Sequence, residues 1–300
     1  MVPVTFLLPV YNGEKFLREA LESMKKQTFE NFEALIINDG STDSTQQIID
    51  EYIQSDKRFR CISRGNKGLI KSLNEGLDEI QTEYIARMDA DDICHPQRLE
   101  LQLQYMNANP EIGVSGSNTK FFGLVEKEIN YPLIHEKLVA TIPYAPPFCH
   151  PSVIFRRSVL EDNNLRYDEN FKDCEDYKLW LDMSECTRFG NIPHNLLFYR
   201  MHGESICDLS TVQQKGSQTV RQLSVMKMKL PLESVRFHMD LTARRHEHMK
   251  LEYWPVYLLD LKNVGKELFE AGFANFRAFS QHYFPPEQAQ QFIDCVKEAV

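Results

Sequence analysis

The sequence predicts an α/β protein built on a mostly parallel, doubly wound, Rossmann-like sheet, followed by a helical C-terminal extension. Three observations predict it. Short apolar runs alternate with segments of helical period through the first hundred residues. Each of those runs ends in a polar, Gly-containing or acidic loop. Strand signals then fade toward residue 210, which separates a domain at 1–210 from an extension at 211–300.

The elements follow in order. "VTFLLPV" (4–10) is a continuous apolar run, as expected of a strand buried on both faces. "EKFLREALESMKKQ" (14–27) sets Phe16, Leu17, Ala20, Leu21 and Met24 at helical spacing. "FEALIIND" (32–39) is a second strand, and "STDSTQQIIDEYIQ" (41–54) a helix with Ser and Asp residues placed to cap its start. "RFRCIS" (58–63), "KGLIKSLNEGLDEI" (67–80) and "YIARM" (84–88) continue as strand, helix and strand. Residues 96–110 read as a helix and 112–123 as a strand. In "YAPPFCHPSVIFRR" (144–157) two prolines stiffen a loop that delivers His150 before another strand. "DCEDYKLWLDMSE" (173–185) starts acidic and becomes helical, and "NLLFYRMHGES" (195–205) is a strand ending in Arg200 and His202.

Composition bounds the function. The chain has 300 residues, 42% hydrophobic and 26% charged, enough apolar material for a large core. A net charge of -9 argues against nucleic acid as a partner. Seven cysteines without a CxxC pair fit reduced thiols. The N-terminal residues lack a basic leader, and no apolar run approaches the ~20 residues of a membrane span. A cytoplasmic protein is therefore expected, either soluble or peripheral on the inner face of a membrane.

Parallel sheets bind ligands at the carboxyl ends of their strands. Here those ends carry Tyr11-Asn12-Gly13, "NDGSTDST" (38–45), "RGNKG" (64–68) and "DADD" (89–92). Neither GxGxxG nor GxxxxGK[ST] is present to cradle a phosphate. A divalent cation held by carboxylates can replace such a cradle. Asp89 and Asp91 fit, because residues two apart on an extended segment share a direction. Asp92 is expected to face elsewhere and cap the next helix.

Five segments in order, "LLPVYNGEKFLREALESMKKQTFENFEALIINDGSTDST", "YIARMDADD", "HPSVIFRR", "CEDYKLW" and "YRMHGES", resemble the family 2 glycosyltransferases of the GT-A fold, of bacterial polysaccharide-biosynthesis type. The resemblance spans roughly two thirds of the chain and implies a metal-dependent, inverting transfer from a nucleotide-sugar, a UDP-sugar favoured, to a glycan or lipid-linked acceptor. It places Pro9, Tyr11, Asp39, Asn66 and Gly68 around the nucleotide, with Asp39 accepting from a ring N–H. Arg87 would balance the acidic rim. Asp89 would lie toward ribose and metal, and Asp91 would ligate Mn²⁺ or Mg²⁺, with His202 as a further ligand. Asp176 would be the general base and Glu175 an acceptor or donor contact. Arg200 would bind diphosphate oxygens, and His150 would lie near donor or acceptor. Some relatives carry Arg where Leu73 stands here, which leaves UDP against another nucleotide open.

Two further classes compete. A sugar-1-phosphate nucleotidyltransferase would carry a Gly- and Arg-rich loop after the first strand, unlike "VYNGEKF". A non-catalytic nucleotide- or sugar-binding module would not need Asp89, Asp91 and Asp176 together. Residues 211–250 hold eight Lys/Arg against three acids, and the aromatics that follow extend to Phe284. Either these helices pack as an appendage, or 211–284 makes peripheral contact with a membrane.

Overall fold

The computed structural model describes residues 2–203, 211–227 and 254–283, together with isolated positions among 231–238 and 286–294. The predicted alternation is present: β1 (Val4–Val10), α1 (Leu17–Lys25), β2 (Phe32–Asn38), α2 (Thr45–Ser55), β3 (Phe59–Ser63), α3 (Leu69–Glu79) and β4 (Tyr84–Arg87). The strands β3-β2-β1-β4 lie side by side in parallel, with Val4 opposite both Phe32 and Tyr84. Every residue of β1 is buried, so its unbroken apolar run reflects helices on both faces.

Beyond β4 the sheet becomes mixed. It continues through β8 (Ile154–Arg156), β6 (Ile112–Gly123), β9 (Arg188–Met201) and β5 (Ile93–Cys94), with β7 (Lys127–Ile129) against β6. β8 runs antiparallel between β4 and β6, whereas β6 and β9 pair in parallel over most of their length. Between these strands lie α4 (Arg98–Ala108), α5 (His135–Thr141), α6 (Arg157–Asp162) and α7 (Glu175–Met183), with short 3₁₀ turns at His150–Ser152 and Glu169–Phe171. The two-residue β5 and the three-residue β7 are too short to carry a readable period and escape the sequence reading, as does the first half of β9.

The loops after β1 and β2 lock together rather than merely capping helices. Asn12 N donates to Ser41 Oγ at 2.9 Å, Glu14 N to Asp43 Oδ2 at 3.0 Å, and Ser44 N to Glu14 Oε2 at 2.9 Å. Ser44 itself gives α2 no side-chain cap; Asp43 Oδ1 accepts from Thr45 N instead. Asn12 takes a positive φ of 50° to make this junction.

Two compact units are present: Met1–His135 with Pro147–Gln213, and Glu136–Pro146 with Gln214–Val300. After α8 (Thr211–Lys227) the second unit contains α9 (Trp254–Val264) and α10 (Lys266–Tyr283) and has its own core of Trp254, Tyr257, Leu258, Leu261 and Phe276 with Ala140. Tyr257 Oη lies 3.0 Å from Tyr144 Oη and also bonds His238 Nδ1. Most of the aromatics named for the extension are thus spent on a core. Among the described residues no helix is long and apolar enough to cross a membrane. The stretch 242–253, which carries Arg244, Arg245 and Lys250 of the basic segment, lies outside the described residues.

Gly40 holds φ at 74°, and a Cβ there would stand 2.5 Å from the backbone N of Asn66. The β2 and β3 loops can approach this closely only with glycine. Gly40→Ala should destabilise the fold by about 1–3 kcal/mol, read as a lower urea midpoint at unchanged slope.

Candidate active site

A cleft of about 750 Å³ opens at the carboxyl ends of β1, β2, β3 and β4. Of the residues singled out from sequence, Pro9, Tyr11, Asp39, Asn66, Gly68, Asp89, Asp91, Glu175 and His202 all line it. Arg87, His150, Asp176 and Arg200 stand behind or beside that lining.

At the carboxyl end of β2, Asp39 is buried and anchors the β3–α3 loop. Its Oδ1 accepts from Arg64 Nη1 and from Lys67 N at 2.7 Å, and its Oδ2 accepts from Gly68 N at 2.9 Å. Arg64 is held in turn by Glu75 Oε2 at 2.8 Å. The loop can turn into α3 because Gly68 sits at φ 91°. Tyr11 is exposed, one flat ring free at the mouth.

At the end of β4 the chain does not stay extended: a turn at Ala90–Asp91 folds the three acids onto one another. Oxygens of Asp89, Asp91 and Asp92 lie within 4.8 Å of one another. The expectation that Asp92 caps a helix is corrected. Its Oδ1 accepts from Arg200 N at 2.8 Å, while Oδ2 is buried without a hydrogen-bond partner. Burial pushes the Asp92 carboxyl well up, and the neighbouring charges of Asp89 and Asp91 push it further. Burial likewise raises Asp89 against the pull of Arg87. His202 Nε2 stands 2.9 Å from Asp91 Oδ2, its ring 5.0 Å from that of Phe16. Crowded, partly unpaired carboxylate oxygens beside an imidazole form a donor set that fits a divalent cation such as Mn²⁺ or Mg²⁺.

Arg87 lies under this cluster, 3% exposed and ion-paired with Asp89. Burial works against its charge, but Asp89 outweighs that and holds the guanidinium firmly protonated. Arg98, fully buried on α4, supports it from below by donating to Arg87 O at 2.8 Å and Val153 O at 3.2 Å. Burial brings the Arg98 guanidinium down to about 10.

Arg200, expected at the diphosphate, is placed beside the cleft lining. Its Nε donates to Asp91 O at 2.8 Å, Nη2 to Glu19 Oε2 at 2.9 Å, and its guanidinium carbon lies 4.5 Å from the rings of both Phe16 and Phe122. Those contacts tie it to the acidic turn. His150 is also placed away from the cleft lining. It is buried, 2.8 Å from Tyr167 Oη and edge-on to Trp180, and burial holds its ring neutral.

The start of α7 brings the last acids. Glu175 is 5% exposed, lines the cleft, and has an Oε2 with no hydrogen-bond partner. Burial first, and the charge of Asp176 second, push its carboxyl up to about 7. Asp176 is half-buried, accepts from Tyr177 N at 2.7 Å, and is raised by burial against the pull of Arg87. Lys15, Lys71 and Lys172 also line the cleft. Lys15 and Lys172, like Arg64 and Arg98, carry no signal of a role in the sequence, because surface lysines and a helix-face arginine look alike in any pattern.

The glycosyl transferase family 2 model matches residues 5–163. An uncharacterized glycosyltransferase of Haemophilus influenzae is 33% identical over 70% of this chain and 69% of its own length. An O-antigen biosynthesis glycosyltransferase of Escherichia coli is 31% identical over 67% of this chain and 81% of its own. Other relatives are longer proteins, of which the chain spans 29% to 43%. Among solved structures, Staphylococcus aureus TarS in complex with UDP-GlcNAc superimposes with a TM-score of 0.67 at 20% identity, covering 99% of this chain and 90% of that one.

A carboxyl raised on folding makes the folded state hold more protons than the unfolded one, so stability falls as pH rises from about 4.5 through about 7. Glu175→Gln removes that cost. The variant should exceed the wild type in stability by about 1–3 kcal/mol at pH 8 and lose the advantage near pH 4.5, in urea titrations across pH.

Proposed function

The chain belongs to glycosyltransferase family 2, and from that premise we propose that it is a metal-dependent, inverting enzyme that moves a sugar from UDP to a hydroxyl of a glycan or lipid-linked acceptor. One observation carries the reading: Asp89, Asp91 and His202 at the acidic turn and Glu175 at the start of α7 line one and the same cleft. Donor-side and acceptor-side chemistry therefore share one cleft.

The residues take these roles. Tyr11 offers a face to the base, and Asp39 an acceptor oxygen. Three hydrogen bonds already occupy Asp39, one of them on Oδ2. Of roughly four acceptor positions on a carboxylate this leaves about one, which suits the single N3–H of uracil better than the paired N1–H and N2–H of guanine. Asp89, Asp91 and His202 would hold the cation, and the unpaired Oδ2 of Asp92 supports adding that residue to the set. When bound, Mn²⁺ or Mg²⁺ supplies positive charge to the departing diphosphate. Asp176 accepts the proton of the acceptor hydroxyl as that oxygen attacks the anomeric carbon. Glu175 lines the donor pocket and orients the sugar. No second-face nucleophile enters this scheme, so the displacement is single and configuration inverts. Similarity to an O-antigen biosynthesis enzyme supports a saccharide acceptor.

Two measurements test it. Calorimetry should give UDP binding that requires Mn²⁺, weaker or absent GDP binding, and a loss of at least tenfold in affinity in Asp91→Ala; metal-independent binding would remove the cation from the scheme. Asp176→Asn should keep UDP affinity within about twofold while transfer falls about 10²- to 10⁴-fold. Undiminished turnover in Asp176→Asn would move the base elsewhere, with Glu175 next in line.

A further inference from the structure

The outer face of α3 grips the chain that leads into α7. Lys71, Asn74 and Asp78 recur along it at helical spacing, and each holds one residue of the segment 166–169. Lys71 Nζ lies 3.5 Å from Glu169 Oε2, and Asp78 Oδ1 accepts from Arg166 Nε at 2.9 Å. Both are ion pairs open to water and individually weak. The middle contact differs in kind. Asn74 Nδ2 donates to Tyr167 O at 2.9 Å, and Asn74 Oδ1 accepts from Tyr167 N at 2.9 Å. A side-chain amide here reads both backbone groups of one residue, as a neighbouring strand would.

Tyr167 is 2% exposed and passes the constraint inward. Its hydroxyl bonds His150, whose ring meets Trp180 of α7 edge-on at 6.0 Å. Tyr167 also feels the charges of Arg87, Asp176, Glu175 and Asp89, which places it among the reacting groups' neighbours. The N-terminal end of the same helix is tied to the donor side, where Gly68 N and Lys67 N bond Asp39. α3 is therefore a short bar with the donor loop at one end and the acid-bearing segment along its side.

We infer that Asn74 is a positioning residue for the reaction: by clamping the Tyr167 backbone it fixes the Glu175–Asp176 pair against the donor cleft. This rests on the glycosyl-transfer reading. Asn74 touches neither donor nor acceptor in that scheme, and its removal should spare nucleotide affinity while spoiling the placement of the acids. A displacement of about 1 Å at the acids suffices to cost on the order of 10²-fold.

The test uses the full chain. Calorimetry with UDP and Mn²⁺, UDP release from UDP-sugars, and thermal unfolding are compared in wild type, Asn74→Ala and Asn74→Asp. Asn74→Ala should bind UDP within about twofold of wild type and keep its donor KM, while kcat falls about 10- to 100-fold. Asn74→Asp, which still accepts from Tyr167 N, should recover part of kcat. Wild-type kcat in Asn74→Ala overturns the inference. So does a fall in kcat matched by an equal fall in UDP affinity and a lower Tm in both variants, the pattern of a merely structural residue. If Asn74→Ala does not fold, hydrogen exchange on the wild type decides: the Tyr167 amide should exchange as slowly as the α3 amides, and exchange at loop rates overturns the clamp. A wild type that binds neither UDP nor GDP would overturn the donor reading itself, an outcome distinct from failure of the variants alone.

Discussion

The site depends on one buried cation. Arg87 closes β4 with its guanidinium inside the protein, where an unpaired charge would cost several kcal/mol. Asp89 compensates it directly, while Asp92, Glu175 and Asp176 feel it from further away. At an effective dielectric of about 20, unit charges about 4 Å apart interact by about 4 kcal/mol, so a single close partner offsets much of the desolvation. Arg98 completes this foundation. It has no carboxylate partner among its hydrogen bonds and spends its donors on Gln102, Met88 and the carbonyls of Arg87 and Val153. A guanidinium used as a carbonyl clamp fixes the end of β4 to the segment before β8, where the antiparallel half of the sheet begins.

The fold was largely legible because its central strands are buried on both faces and its helices on one. Continuous apolar runs and 3.6-residue periods are direct consequences of that burial, and β1 to β4 with α1 to α3 fall within a few residues of the predicted spans. The site was legible in outline for a related reason: parallel topology delivers every strand's carboxyl end to one rim, so Asp39, Asp89 and Asp91 had to converge. The details were not legible. Asp92 pairs with Arg200 N across 108 residues, and no local pattern announces such a partner. The resemblance assigns Arg200 to diphosphate oxygens but says nothing of its contacts with the acidic turn. Arg200 holds the acidic turn because Phe16, Phe122 and Glu19 surround it, residues remote from it in sequence. The surroundings of His150 were illegible for a similar reason, since only the tertiary fold shows Tyr167 and Trp180 beside it.

The two sides of the cleft are built differently. The side formed by the loops after β1, β2 and β3 consists of segments that hold one another through backbone N–H groups and short polar side chains, with Asp39 and Asp43 each serving two partners or more. The side that carries α7 rests on aromatic packing, where Trp180 contacts Phe148, His150 and Phe155. Polar loops tolerate little change of residue type, because each donor needs its acceptor. An aromatic bed tolerates exchange of volume more readily. Exchange of residues therefore has more room on the second side than on the first.

β9 pairs with β6 along most of its length and delivers both Arg200, which clamps the acidic turn, and His202, which meets Asp91. Those residues lie more than a hundred positions after the acids they hold. Closing so long a loop costs entropy before any contact repays it, and such pairings form late in folding. Until β9 is in place the acidic turn lacks both the Arg200 donors and the His202 ring. The shape of a four-residue turn is therefore hostage to a strand pairing made far along the chain, and a change that loosens β9 from β6 reaches the turn without touching it.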